Sequence, residues 1–193
     1  MALHSSPASM LKESLQETLE ASRLCMEYRK TDLKWGEFMC NGCLGYPAAI
    51  LLFSIIDTIG SYYRKNSEFK AHIDGAKVAI NSDGWEHFKI LNTKYFKQNL
   101  STSFIKALYT KFRSNLTHNS VLGSNTIMFM DEMNISPINY SSKAFATSTD
   151  KNHKTIFLVS IAELFKICKD AVYSFKNDID TIVPNSKQGK SFR

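Results

Sequence analysis

Hydrophobic residues recur at helical spacing along most of this chain, and the pattern predicts a mainly helical protein. A first amphipathic helix is predicted to begin at a cap formed by Ser9 or Ser14 and to reach about Tyr28, because leucines mark one face and charged residues the other. The stretch 47–64 is apolar on nearly all sides. It is therefore predicted to be the central buried helix, with Pro47 in its first turn.

The middle of the chain contains two further predicted helices. Residues 66–83 are predicted to form a loop that includes at most one short helix, and residues 85–96 are predicted to form a third helix. A fourth helix is predicted to begin at Ser101 or Ser103, because apolar residues follow at helical spacing. Those apolar residues are Phe104, Ile105, Leu108, Tyr109, Phe112 and Leu116.

The residues after His118 favour β structure. Segments 126–130, 144–147 and 155–159 are rich in β-branched or aromatic residues, and Asn, Ser, Asp and Pro separate them. This pattern predicts a small β-hairpin or a three-stranded flap. A last amphipathic helix is predicted to follow from about Ser160.

Together these elements predict a mainly α fold, a bundle of four to five main helices with a β excursion at about 121–159 before the last helix. Residues 1–176 are predicted to form a single helical domain, and the polar residues 177–193 a flexible C-terminal tail. A chain of 193 residues fits one domain whose core needs no disulfide or metal.

Composition excludes several classes of protein. An apolar share of 44% and a charged share of 22% are typical of a packed domain and not of a disordered chain. No secretory signal is evident, and the apolar stretch 44–60 contains Pro47 and Asp57 and is shorter than the ~20 residues of a membrane span. We therefore expect a cytoplasmic protein that does not contact a membrane.

Sequence motifs for metals and cofactors are weak. Cys40 and Cys43 form a C-x-x-C pair, which is half of a zinc site, but no second Cys or His pair stands at a workable spacing. Gly-rich phosphate-binding loops and nucleophile elbows do not occur in the sequence. We expect neither a metal nor a cofactor.

Positive charge is concentrated in one part of the chain. The formal net charge is +6, and no acidic residue lies between Glu86 and Asp131. That span holds six basic residues, Lys89, Lys94, Lys97, Lys106, Lys111 and Arg113, which equal the whole net excess. Such a segment is either a surface for a polyanion, with Lys106 and Lys111 guiding an RNA backbone, or an ordinary solvated helix face.

Candidate chemistry lies at the end of the fourth helix, where Arg113, Asn115 and His118 occur within six residues. A histidine with a pKa near 6.5 can move the proton of a 2′-hydroxyl or of a leaving group, and a fixed guanidinium can hold phosphate oxygens. On an ideal helix, however, five steps of ~100° place His118 about 140° away from Arg113. The two share a face only if the helix frays, bulges or turns after Leu116; otherwise they are capping or surface groups.

The string from Leu108 to His118, LYTKFRSNLTH, resembles the R-x(4–6)-H signature of the HEPN superfamily, in the "LY…R…L.H" form of many bacterial members. The segment from Ile55 to Gly60, IDTIG with a preceding Ile, is similar to an "IDxxG" segment of the same sequences. The resemblance implies a helical bundle that pairs as a homodimer, with two copies of the motif at the interface.

The resemblance also implies a function. Many members are metal-independent endoribonucleases of toxin–antitoxin, antiviral or RNA-processing systems, which implies an RNA substrate, a catalytic role for Arg113 and His118, and a cognate antitoxin or partner protein. Other members are non-catalytic modules that bind nucleotides or partners. The residue after the family's Arg is often Asn, Asp or His, whereas here it is Ser114, so the orienting role falls to Asn115 one position later.

Asp57 has two interpretations. A carboxylate on the buried helix can pair with Arg113 and fix its orientation, since an unpaired buried charge costs several kcal/mol. Alternatively, it bonds a nearby backbone or tyrosine group, or caps a break before Gly60. The sequence does not choose between these.

Overall fold

A computed structural model describes residues 6–31, 33–36, 42–82, 84–130 and 143–190. Helices dominate it, and two small sheets complete it, which confirms the mainly α class. In chain order the elements are α1 (Pro7–Glu27), a 3₁₀ turn (Leu33–Trp35), α2 (Gly45–Ser61), β1 (Lys70–Ile73), β2 (Ala76–Ala79), a 3₁₀ helix (Gly84–Asn92), α3 (Thr102–Ala107), a π-helix (Leu108–Ser114), α4 (Asn115–Asn119), β3 (Thr126–Phe129), β4 (Phe145–Thr149), β5 (Thr155–Ser160), α5 (Ile161–Lys176), α6 (Ile179–Asn185) and α7 (Lys187–Lys190).

Helix α2 is the centre of the core, as its apolar sequence predicts. Its residues Leu52, Ile55 and Ile59 are fully buried, and it packs against α1, α5 and the 3₁₀ helix. Helix α5 begins at the predicted residue, because the Ser160 side chain accepts a hydrogen bond from the Glu163 amide at 3.3 Å. Among the described residues, no helix has both the length and the apolar character required to cross a bilayer.

Helix α1 begins earlier than the predicted Ser9 or Ser14. Ser6 is the cap: its hydroxyl accepts the Ser9 amide, and the Ser9 hydroxyl accepts the Ser6 amide, each at 3.2 Å. Pro7 then occupies the first turn, where its missing N–H costs no hydrogen bond. Reciprocal capping by two serines thus replaces the single cap that the leucine pattern indicated.

Residues 66–83 contain a β-hairpin where a loop was predicted. Strands β1 and β2 pair antiparallel around Asp74 and Gly75, which both have positive φ (51° and 81°). An Asp-Gly pair with this backbone is the favoured two-residue hairpin turn, because its twist matches that of the flanking strands. The prediction was wrong because each strand is only four residues long, and β2 does not alternate between buried and exposed residues.

The predicted third helix is a 3₁₀ helix, and it ends at Asn92 instead of residue 96. The Asn92 side chain donates to the carbonyls of His72 (2.9 Å) and Leu100 (2.7 Å), and its oxygen accepts the Leu100 amide at 3.0 Å. These bonds tie the end of the helix to β1 and to the start of α3. Tertiary bonds of one side chain, which periodicity does not reveal, therefore set the helix end.

The β excursion forms a three-stranded sheet of order β3-β5-β4, with β3 parallel and β4 antiparallel to β5. This matches the three-stranded flap among the two predicted alternatives. The sheet lies against α3, because Phe104 makes edge contacts with Phe145 and Phe157 at ring-centroid distances of 6.3 and 5.3 Å. It therefore supports the helical stretch that carries Arg113.

The predicted fourth helix is a continuous helical stretch with the predicted cap at Ser101, but its middle is a π-helix. A π-helix shifts the hydrogen bonds by one residue, so it exposes backbone groups and re-aims side chains. The Lys111 carbonyl accepts the Gly123 amide at 2.8 Å. The π-helix ends at Ser114, and residues Asn115–Asn119 are α-helical, so this bulge does not supply the break before His118 that a face shared by Arg113 and His118 requires.

The polar segment after residue 176 is helical through residue 190, so the predicted flexible tail is wrong for this part. Ile179 and Val183 of α6 lie in the main core, with exposed fractions of 0% and 2%. Two apolar residues four positions apart lie on the same face of a short helix and are enough to pack that face against the core. The polar composition of this segment therefore led to the wrong prediction of a flexible tail.

A buried tyrosine pair attaches α6 to the core. The hydroxyls of Tyr63 and Tyr95 hydrogen-bond, and Tyr95 donates to Asp178 Oδ2 at 2.5 Å, which Lys94 also reaches at 2.6 Å. The hydrogen bonds from Lys94 and Tyr95 hold the pKa of Asp178 below its usual range. Burial raises the pKa of Tyr63 to about 12 and is also the main cause of the raised pKa of Tyr95.

The pKa of the Asp178 carboxyl is lower in the folded state than in the unfolded state, so the carboxylate stabilises the fold at pH values above its unfolded-state pKa. This stabilisation is lost as the pH falls through the folded-state pKa. Replacing Asp178 with Asn should lower the free energy of unfolding by about 1–2 kcal/mol at pH 7. Below about pH 4, the free energy of unfolding of this variant should also fall less steeply with decreasing pH than that of the wild-type protein. Urea unfolding from pH 7 to pH 2 measures both.

The matched control is Asp180→Asn, because Asp180 pairs with Lys12 at 2.6 Å but its side chain is 70% exposed. An exposed pair contributes about 0–1 kcal/mol. Equal effects of the two substitutions at pH 7 and in acid would contradict the role assigned to Asp178.

Gly123 should be required for the π-helix. A Cβ at residue 123 would lie 2.9 Å from the Lys111 Cβ and 3.0 Å from the Asn115 side-chain nitrogen, so Gly123→Ala must displace one of them. We expect a cost of about 1–3 kcal/mol in thermal unfolding. Ser124→Ala is the control, since Ser124 is exposed and the Lys111 amine contacts only its backbone carbonyl. Equal thermal stability of the two variants would show that residue 123 does not have to be glycine.

Candidate functional site

An ion pair between α2 and the π-helix forms the centre of the site. Asp57 Oδ2 accepts a hydrogen bond from Arg113 Nε, and the two side chains are 18% and 25% exposed. Of the two interpretations of Asp57, the structure therefore contains the pair with Arg113. The contact leaves the two terminal amino groups of Arg113 without a hydrogen-bond acceptor among the described residues.

Two residues outside the predicted site extend this pair. His87 Nε2 contacts Asp57 Oδ1, and His87 Nδ1 lies 2.7 Å from Arg64 Nη2. His87 is buried, with 2% exposed, whereas Arg64 lies at the edge of the core. Their separation from Asp57 in the sequence follows no motif spacing, so only the packing of the 3₁₀ helix on α2 reveals the contact.

Gly60 explains this packing. The backbone carbonyl of His87 comes so close to Gly60 that there is no room for a Cβ there. Gly60 lies one helical turn after Asp57, on the same buried helix. The Gly of the Ile55–Gly60 segment therefore lets the 3₁₀ helix approach α2 closely enough for His87 to reach Asp57.

Aromatic rings enclose the polar group. The Arg113 guanidinium carbon lies 5.4 Å from the Tyr109 ring centroid, and Tyr109 meets His87 edge-on at 5.4 Å. Phe88 contacts both His87 and Tyr109 edge-on, at 5.2 and 5.3 Å. Tyr109 is partly buried and Phe112 fully buried, as the apolar stripe predicts. The guanidinium thus has one aromatic face, one carboxylate and one partly open edge.

His118 lies in α4, near the end of the same helical stretch, and is exposed. Among the described residues nothing hydrogen-bonds to its ring, and nothing joins it to Arg113. Helix α4 stops two residues later at Ser120, whose left-handed backbone (φ 55°) caps it. Within one chain the structure therefore holds Arg113 in place and leaves His118 accessible to solvent.

Asn115 is not joined to either of them. Its side chain lies beside Gly123, and its carbonyl accepts hydrogen bonds from the Ser120 and Val121 amides. No described hydrogen bond connects the Asn115 amide group to Arg113 or His118. The orienting role expected of Asn115 thus has no contact to support it within one chain, and Asp57 provides the orientation instead.

The two candidate RNA-binding lysines differ in their surroundings. Lys111 donates to the Ser124 carbonyl at 2.8 Å and lies 5.5 Å from the Phe157 ring, so its amine holds the sheet connection. Lys106 is exposed, and no described acceptor or carboxylate contacts its amine. Lys106 is therefore the better placed of the two to meet a phosphate backbone.

Half of the basic segment is neutralised by the fold. Lys89 pairs with Glu86, Lys94 with Asp178 and Arg113 with Asp57. Three of the six positive charges thus have carboxylate partners that the linear sequence does not place within the segment. The remaining cations of the segment are Lys97, Lys106 and Lys111.

In the described part of the chain, no group of three or more His, Cys, Asp or Glu side chains is arranged to hold a metal ion. Cys40, half of the C-x-x-C pair, lies outside the described residues. The described arrangement can bind a phosphate at Arg113 and present an imidazole at His118.

Comparisons of this chain with protein-family models, with characterised proteins and with solved structures returned no match.

Proposed function

We propose that this protein is a HEPN-like endoribonuclease that acts as a homodimer and cleaves RNA without a metal ion. The proposal rests on the hydrogen bonding of the Arg113 guanidinium. Its Nε is bound to Asp57, and its terminal amino groups have no acceptor among the described residues. A guanidinium fixed at one end and open at the other suits recognition of two phosphate oxygens.

In this mechanism, Arg113 holds the scissile phosphate and neutral His118 takes the proton of the adjacent 2′-hydroxyl. The O2′ atom attacks phosphorus, a P–O2′ bond forms and the P–O5′ bond breaks. The leaving oxygen takes a proton from a protonated imidazole, which the second copy of His118 supplies. The products are a 2′,3′-cyclic phosphate and a 5′-hydroxyl, and Arg113 stabilises the negative charge of the transition state.

The dimer has a physical rationale. His118 is exposed and does not contact Arg113 in one chain, so the motif is incomplete as a catalytic group by itself. A second copy of the chain with two-fold symmetry would bring two Arg113 and two His118 side chains to one cleft. Lys106, which is exposed and without a described ion pair, would then guide the RNA backbone.

The decisive experiment is cleavage of a mixed RNA in EDTA. His118→Ala should lower the cleavage rate about 10²- to 10⁴-fold, because it removes general acid–base catalysis. The matched control is His72→Ala, since His72 is an exposed histidine on β1 and not part of the helical stretch that carries Arg113 and His118. The products of the wild-type protein should carry cyclic phosphate ends. Equal cleavage by wild type and His118→Ala would remove His118 from the mechanism.

A second function is a non-catalytic module that binds a nucleotide or a partner. The observation that favours it is the absence of a described contact between Arg113 and His118, together with Ser114 in the place after the arginine. In such a module, Arg113 would still bind a phosphate, and the exposed imidazole would take no part.

Arg113→Lys separates binding from turnover, because lysine keeps the charge beside Asp57 but lacks the planar fork. For either function, it should weaken binding of an RNA oligonucleotide or a nucleotide by about tenfold in a titration. Lys154→Ala, at an exposed lysine outside the basic segment, is the control. Unchanged affinity in Arg113→Lys would contradict both functions, and binding without any cleavage by wild type would favour the module.

A further inference from the structure

We propose that His87 is a positioning residue for Arg113 that acts through Asp57, as a neutral imidazole with its proton on Nε2. The inference concerns the orientation of Arg113, and only its activity readout rests on the proposed function. It assigns a role to a buried histidine outside the R-x4-H motif and defines a four-membered polar chain from Arg64 to Arg113.

The hydrogen-bond partners determine the tautomer. A guanidinium can only donate, so the 2.7 Å contact between Arg64 Nη2 and His87 Nδ1 requires a lone pair on Nδ1. The proton of a neutral ring then resides on Nε2, where it is donated to Asp57 Oδ1. Asp57 thus receives one donor on each oxygen, His87 on Oδ1 and Arg113 on Oδ2.

The imidazole is locked in this orientation. His87 is 2% exposed and is held edge-on between Phe88 and Tyr109. Its backbone carbonyl is packed against Gly60, so the 3₁₀ helix cannot slide along α2 without a clash. A ring with fixed walls and two fixed partners holds the Asp57 carboxylate in one rotamer.

The role of His87 follows from what Asp57 would do without it. A carboxylate with two free oxygens tends to bind an arginine through two parallel hydrogen bonds, which would engage a terminal amino group of Arg113 as well as Nε. Because His87 occupies Oδ1, Asp57 binds Arg113 through Nε alone. The terminal amino groups stay available for phosphate, so His87 protects the binding edge of Arg113.

Two substitutions at residue 87 test this role. Gln can donate to Asp57 and accept from Arg64, whereas Leu fills much of the volume and can do neither. In ¹H–¹⁵N spectra, the Arg113 Nε–H signal, assigned through Arg113→Lys, should resemble wild type in His87→Gln. In His87→Leu it should change in chemical shift, and its exchange with water should change more than tenfold. An unchanged signal in a folded His87→Leu variant would overturn the proposal.

The tautomer is measured on the wild-type protein, so the test does not depend on the variants folding. Long-range ¹H–¹⁵N correlation of the His87 ring should show the proton on Nε2 and a bare Nδ1. A ring with its proton on Nδ1, or with both nitrogens protonated, would overturn the assignment.

Activity provides the readout that a purely structural role would not move. With RNA as substrate, His87→Leu should lower kcat/KM about 10- to 100-fold, while His87→Gln stays within about threefold of wild type. Ile90→Ala is the control for stability, because Ile90 is buried on the same 3₁₀ helix and contacts no member of the polar chain through a hydrogen bond. It should lower Tm and leave kcat/KM and the Arg113 signal unchanged.

The outcomes distinguish this inference from the proposed function. If wild type cleaves no RNA while the tautomer and the Arg113 signal behave as expected, the nuclease is wrong and the positioning role holds for phosphate binding. If His87→Leu and Ile90→Ala lose activity in proportion to their loss of Tm, with equal Arg113 signals, His87 is only structural and the inference is wrong.

Discussion

The site depends on one constraint: the Asp57 carboxylate, largely removed from solvent on the central helix, needs donors for both of its oxygens. A carboxylate at this depth would destabilise the fold by several kcal/mol if it were unpaired. Arg113 and His87 supply the two donors from different parts of the chain, so the constraint joins α2, the 3₁₀ helix and the π-helix. One set of hydrogen bonds therefore both stabilises the core and places the Arg113 guanidinium.

Backbone irregularities make this meeting possible. Gly60 allows the 3₁₀ helix to approach α2, and the π-helix re-aims the residues from Leu108 to Ser114. The carbonyl of Lys111 within the π-helix is satisfied by the amide of Gly123, which leads into β3. The Lys111 amine also donates to the Ser124 carbonyl, so the segment that leads into the β excursion supports the π-helix.

Charge has to be interpreted through the fold. A segment that contains only basic charges indicates a polyanion surface in the sequence, but three of its six cations have carboxylate partners: the bordering Glu86, and Asp178 and Asp57 from distant parts of the chain. For Arg113 the partner orients the cation without using its terminal amino groups. For Lys94 the partner is Asp178, which helps to attach α6 to the core. The carboxylate that each basic side chain meets therefore determines its role: Asp57 orients Arg113, and Asp178 with Lys94 helps to attach α6.

Local periodicity and capping were enough to predict the mainly helical class, the central position of α2, the start of α5 at Ser160 and the stripe that buries Phe112. The sequence also singled out Asp57, Arg113 and His118 as residues to examine. Which of these residues meet depends on long-range packing: Asp57 pairs with Arg113, and no described hydrogen bond joins either of them to His118 within one chain. The tertiary structure also added His87 and Arg64, corrected the hairpin at Asp74 and docked α6, because hydrogen bonds between distant segments leave no periodic trace in the sequence.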